Sequence, residues 1–153
     1  MFNANQLREL IIKPTLINMV MFSREAVGLL IFTCAVESEG GTYLKKGDSL
    51  GIYQMETKTY VDIWENYIKN KQSLMMVLSS NFAIYQMPDE ERLIWDLRFA
   101  TIMARIHYER TAKTICGLNG KNDLWYYYRN YYNTSENIDR DDAFLKYHNF
   151  ISG

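Results

Sequence analysis

The sequence is poor in the residues that cross-link chains and hold metals. It has two cysteines and two histidines in 153 residues. Cys34 and Cys116 each sit within an apolar stretch and far from the other. They offer neither a disulfide framework nor a metal-ligand spacing. His107 and His148 are also well separated, so no zinc site is expected. Prolines number two and glycines eight, and with so few breakers the apolar periodic runs read as helix. Neither sign of charge is in excess, with 17 Lys plus Arg against 18 Asp plus Glu. A general nucleic-acid binder driven by phosphate neutralisation is therefore not expected. A membrane span is missing too. The most apolar stretch, Leu16 to Val36, is interrupted by Arg24 and Glu25, and its uncharged part is well short of the roughly 20 residues a span needs. The opening MFNANQLRELIIK lacks the basic start, apolar middle and small-residue cleavage site of a secretory signal.

What is abundant is aromatic: 12 Tyr, 7 Phe and 3 Trp. Hydrophobic residues make up 48% of the chain, enough to close a core in one domain of this length. No linker, repeat or low-complexity block divides residues 1–153, so a single domain is expected. Asn5 to Lys13 reads as a short amphipathic helix with Pro14 just past its end, and Pro14 to Phe22 as a second. Ser23 is a good N-cap for the apolar run Ala26–Val36, which should lie in the middle of the domain and stop near Glu39. Gly41 to Gly51 reads as a loop or small hairpin. Helical spacing returns over Tyr60–Lys69 and Ser73–Leu78. Pro88-Asp89-Glu90-Glu91 predicts the start of a long helix to Ile115, with Trp95, Phe99, Ile102 and Ile106 on its apolar stripe. Asp123 and Asp141 are expected to cap two further helices. The fold class is mainly α, with a small irregular or β-hairpin region after the central helix.

Glu37 is the candidate for chemistry. It is the first charge after the apolar run and lies at the C-terminal end of that helix. Partial burial and the negative end of the helix dipole both disfavour its anion, and a carboxyl held protonated near neutral pH is what a general acid requires. From position alone, a helix-end Glu that snorkels into water is the more ordinary reading. The segments that follow shift the balance. Ala35-Val36-Glu37-Ser38-Glu39-Gly40 is succeeded by Ser49-Leu50-Gly51-Ile52-Tyr53-Gln54-Met55-Glu56, and later by Tyr131-Tyr132-Asn133. Gln54 offers donor and acceptor to a sugar, Gly51 lets backbone approach a ring, and Tyr53, Tyr131 and Tyr132 offer flat faces with polar tips. Each also has a plainer reading: Gln54 as a turn cap, and some of the tyrosines as core.

These three segments, in order and rough spacing, resemble the core motif of lysozyme-like lytic transglycosylases and goose-type lysozymes. There, a Glu-Ser at the end of a central helix precedes a Gly-Leu-Met-Gln-like segment and then a Tyr-Asn element. The motif-bearing core covers about residues 23–133. Tyr53 stands where Met is usual, and Thr134-Ser135 follow Asn133 in place of Ala-Gly. The resemblance implies a single lysozyme-like domain that cleaves the β-1,4 bond between N-acetylmuramic acid and N-acetylglucosamine in peptidoglycan. It assigns the catalytic acid to Glu37 and substrate contacts to Ser38, Ser49, Gly51, Tyr53, Gln54, Tyr132 and Asn133. A single Glu suffices for a lytic transglycosylase, which leaves a 1,6-anhydro sugar. A hydrolase would need a second carboxylate, for which Glu56 and Asp48 are the candidates. Asp48 also suits an ordinary turn and Glu56 a helix cap, while Glu39 is expected to be solvated. No metal or cofactor is implied. The expected partners are peptidoglycan glycan strands, with phage virion or envelope-machine proteins for delivery, since no export signal is visible. A non-catalytic glycan-binding protein on the same fold is the rival reading. Cys34 and Cys116 are both expected in the core, His107 at the surface or boundary, and the arginines at 92, 98, 105 and 110 on a solvated helix face.

Overall fold

A computed structural model describes residues 1–111, 113–135 and 137–153. The protein is mainly helical, with one small antiparallel sheet after its central helix. The chain opens with a continuous helical stretch: α1 (Ala4–Gln6), a π-helical segment (Leu7–Ile12) and α2 (Lys13–Asn18). Pro14 therefore does not end a helix as predicted. The wider turn before it, with Lys13 N–H bonded to Arg8 O, loosens the ladder where proline has no N–H to give and its ring would crowd the preceding turn.

Helix α3 (Arg24–Ser38) is the central strut. Ser23 caps it as expected, its Oγ accepting from Ala26 N at 3.0 Å. Every residue from Ala26 to Ala35 except Gly28 is buried, because α7, α8, α9 and the N-terminal stretch all pack on it. It ends at Glu39, which takes the left-handed conformation itself at φ 51° ahead of Gly40. The Gly41–Gly51 region then forms β1 (Lys45–Lys46) and β2 (Ser49–Leu50), and β3 (Met55–Glu56) completes the sheet in order β1-β2-β3. Lys45 faces Leu50 across the first pair, and Leu50 faces Met55 across the second.

The second half is α4 (Thr57–Asn66), a 3₁₀ turn (Ile68–Asn70), α5 (Gln72–Phe82), α6 (Arg92–Trp95), α7 (Leu97–Glu109), α8 (Gly120–Tyr131) and α9 (Arg140–Ser152). The long helix predicted from Pro88 to Ile115 is thus two helices. Asp96 is extended between them, and its carboxylate caps α7 by accepting from Phe99 N at 3.0 Å. The cap gives α7 a clean start that an unbroken helix would lack. Residue 112, within the predicted span, lies outside the described residues. Phe99, Ile102 and Ile106 are buried as the stripe required, but Trp95, before the break, is 70% exposed. Asp123 lies in the first turn of α8, accepting from Asn119 N, and Asp139 rather than Asp141 caps α9. Cys34 is buried, whereas Cys116 is exposed because its loop lies outside the helices. Arg105 is buried on α7, donating to Met21 O and pairing with Glu109, so the arginines do not share one solvated face. No helix among the described residues is long and apolar enough to cross a membrane.

The sheet is locked to the helices at Gly51. Its φ is +79°, and a Cβ there would fall 2.0 Å from Leu93 O. Gly47, in the β1–β2 turn, has φ +58° but open space around it. Gly47→Ala should cost only its backbone strain, roughly 1–2 kcal/mol. Gly51→Ala adds a backbone clash and should cost roughly 1–3 kcal/mol more. Urea unfolding of both variants measures the difference, and equal midpoints would contradict the tight seating of the sheet.

Candidate active site

Glu37 sits in the last turn of α3, half-buried, at one side of a cleft of about 450 Å³. Two groups from the end of α8 reach the same carboxyl oxygen. The Tyr128 hydroxyl donates to Glu37 Oε2 in a short hydrogen bond, and Asn133 Nδ2 donates to it at 3.0 Å. Helical spacing explains the pairing. Leu124, Tyr128 and Tyr132 follow at intervals of four along one face of α8, and the chain turns where Asn133 N bonds to Tyr128 O. That turn swings the Asn133 side chain back toward α3. With Oε2 accepting from two donors, the carboxyl proton belongs on Oε1, which has no partner among the described residues.

Behind the carboxyl stands a wall of rings. Tyr128 meets Phe32 edge-on at 5.6 Å and stacks on Tyr132 at 5.9 Å, while Tyr108 lies 5.2 Å from Tyr132. Much of the aromatic excess is spent here. The wall has a direct electrostatic consequence. Burial pushes the Glu37 carboxyl above its ordinary value, outweighing the bonds from Tyr128 and Asn133 and the more distant charges of Lys46 and Lys146. Burial, then the neighbouring Glu37, also push the Tyr128 phenol far up, so it serves as a neutral donor.

The cleft is completed from four directions. Ser49, Gln54 and Glu56 come from the sheet and its turn, Lys58 and Thr59 from the start of α4, His107 from α7, and Tyr132 to Ser135 from the end of α8 and beyond. Gln54 is held in left-handed backbone at φ 50°, with its Nε2 donating to Gly51 O at 2.8 Å. Such strain in a non-glycine residue gathers at functional sites. Tyr132 donates to Tyr53 O at 2.5 Å and so ties the end of α8 to the sheet.

Several residues assigned to substrate lie elsewhere. Ser38 is fully buried. Its Oγ donates to Ile52 O at 2.6 Å and accepts from Gly41 N at 2.9 Å, fastening the sheet loop to α3. Tyr53 is a core residue whose hydroxyl meets Thr101 Oγ1 at 2.9 Å. Gly51 is required by the closeness of Leu93, not by an approach to the cleft. Tyr131 packs against Tyr127 at 4.6 Å and does not line the cleft. Asp48 is exposed and also outside the lining, and its backbone carbonyl accepts from Thr57 N. Glu56 does line the cleft, exposed, with Lys58 3.5 Å away. Glu37, Ser49, Gln54, Tyr132, Asn133 and Glu56 are therefore brought together.

Two residues went unassigned in the sequence. Tyr128 lies four before Tyr132, so the helical spacing itself placed both on one face. His107 lies on the same side of α7 as Phe99, Met103 and Ile106, a signal masked by its charged neighbours. Comparison with protein-family models, curated proteins and solved structures finds no match for the chain.

The raised pKa of Glu37 fixes a sign for stability. Unfolded, the group titrates near 4.5; folded, it titrates higher. Between the two values the folded state keeps a proton that the unfolded state has lost, so stability falls as pH rises through that window and stays lowered above it. Glu37→Gln removes this penalty, and Gln Oε1 can still accept from Tyr128 and Asn133. The variant should melt higher than the parent at neutral pH, with the gain shrinking as pH falls toward 4.5 and gone below it. Thermal melts across pH check this, and a lower melting temperature at neutral pH would contradict it.

Proposed function

We propose that the protein is a muramidase, a lytic transglycosylase that cuts the MurNAc-β-1,4-GlcNAc bond of peptidoglycan with one catalytic Glu. The observation that carries the reading is Glu37 itself. Burial raises its pKa, two donors occupy one carboxyl oxygen and leave the other, unpartnered among the described residues, to carry the proton, and the carboxyl opens on a polar cleft. The motif resemblance supplies the substrate class. Oε1–H gives its proton to the bridging oxygen as the glycosidic bond breaks, and the leaving sugar departs as an alcohol. The substrate's acetamido group stabilises the positive centre. The Glu37 carboxylate, held by Tyr128 and Asn133, then takes the proton of the substrate's 6-hydroxyl as that oxygen attacks. A 1,6-anhydro end forms and no water is consumed. Gln54, Ser49 and Tyr132 border the space where the sugar binds.

Glu56 favours a second reading. It lines the same cleft and could activate water, which would make the protein a hydrolase. Its exposure and its neighbour Lys58 give it no such preparation as Glu37 receives. On this reading the protein acts in the bacterial wall, delivered as part of a phage virion or by envelope-machine proteins.

Glu37→Gln should lower the clearing of permeabilised cells by about 10²–10⁴-fold, the usual loss when a general acid is removed. Mass spectrometry of digested peptidoglycan should find anhydro ends, and Glu56→Gln should leave their yield intact. Reducing muramic acid ends lost with Glu56→Gln would establish the hydrolase. Binding of insoluble peptidoglycan without any clearing would establish a non-catalytic glycan-binding protein.

A further inference from the structure

The cleft wall carries a group that the proposed reaction does not use, the imidazole of His107. Its ring meets Tyr132 edge-on, with centroids 4.9 Å apart and planes at 62°. Its Nδ1 faces Arg110, whose Nε donates from 3.3 Å. A guanidinium has only donors, so Nδ1 must be the accepting nitrogen and the ring proton resides on Nε2. Arg110 is held in turn. Its Nη1 donates to Asp62 Oδ2 at 2.7 Å, and Asp62 Oδ1 accepts from Asn66 at 2.6 Å. The chain of contacts thus runs from α4, through the end of α7, to the cleft.

Protonating Nδ1 would set an N–H against the guanidinium. Burial first, and then the Arg110 charge, push the imidazole down to about 4 against the weaker pull of Asp62. The ring is therefore neutral at ordinary pH. Nε2 finds no partner among the described residues, and the partly buried ring lines the cleft.

We propose that His107 is a fixed, neutral hydrogen-bond donor of the cleft, giving its Nε2–H to the amide carbonyl of a bound N-acetylated sugar, with Arg110 and Asp62 as positioning residues that set the tautomer. This rests on the reading of the cleft as a saccharide site. A neutral donor suits an uncharged acceptor oxygen, and Tyr132 keeps the ring from turning away.

The test uses the full chain carrying Glu37→Gln, so that glycan is bound and not cut. Nitrogen-15 spectra of the imidazole report the tautomer, and titration with tri-N-acetylchitotriose reports binding. The Nε2–H form is expected, with its proton resonance moving as the saccharide is added. Arg110→Met should mix the tautomers. His107→Phe should weaken binding about 3- to 10-fold, and His107→Gln, which keeps a donor, should retain most of it. An Nδ1–H tautomer, or equal binding by the parent and His107→Phe, would overturn the donor role and leave the reading of Glu37 standing. No binding by the parent would overturn the saccharide reading and this assignment with it.

Discussion

Glu37 is fastened through one oxygen to the end of α8, by the hydroxyl of Tyr128 and the amide of Asn133. The rest of the site depends on that fastening. It joins the last turn of the buried central helix to the residues that turn away from α8. It also decides which carboxyl oxygen is left to carry a proton. A carboxyl beside buried rings would ordinarily lose its place to water or to a cation. Here two neutral donors keep it seated without giving it a counter-charge, so burial still sets the direction of its pKa.

The surrounding architecture serves that placement. Ser38, next in sequence, ties the sheet loop to the same helix end. Tyr132 then ties the sheet to α8 through the Tyr53 carbonyl. Three elements far apart along the chain are thereby held around one carboxyl by buried hydrogen bonds. A general acid has to be held at a set position relative to its leaving oxygen, and anchorage of this kind provides that. Ser49, Gln54, Glu56 and His107 line the cleft beside Glu37, which the proposed function reads as the glycan site.

Local chemistry was legible in the sequence. The Ser23 cap, the all-round apolar character of α3 and the position of Glu37 at its end are written in neighbouring residues, and they reappear in the fold. Long-range partnership was not. Glu37 and Tyr128 are 91 positions apart, and no spacing rule joins them. Ser38, Gly51 and Tyr53 were expected at the substrate from the motif resemblance but hold the scaffold around the site, because a motif records that a position matters and not which way its residue faces. The break at Asp96 was hidden because the acid-rich start at Pro88 and the apolar stripe beyond it read as one period. The π-helical passage before Pro14 was hidden because the proline rule presumes a regular α-helix.

The proposed function depends on the protonation of one side chain. Carbon-13 NMR titration of the Glu37 carboxyl, assigned by its loss in Glu37→Gln, measures this directly. A folded-state midpoint clearly above 4.5, rising further when Tyr128→Phe removes one of its donors, is the predicted result. A midpoint at or below 4.5 would mean that the anion is the favoured form and would contradict Glu37 as a general acid.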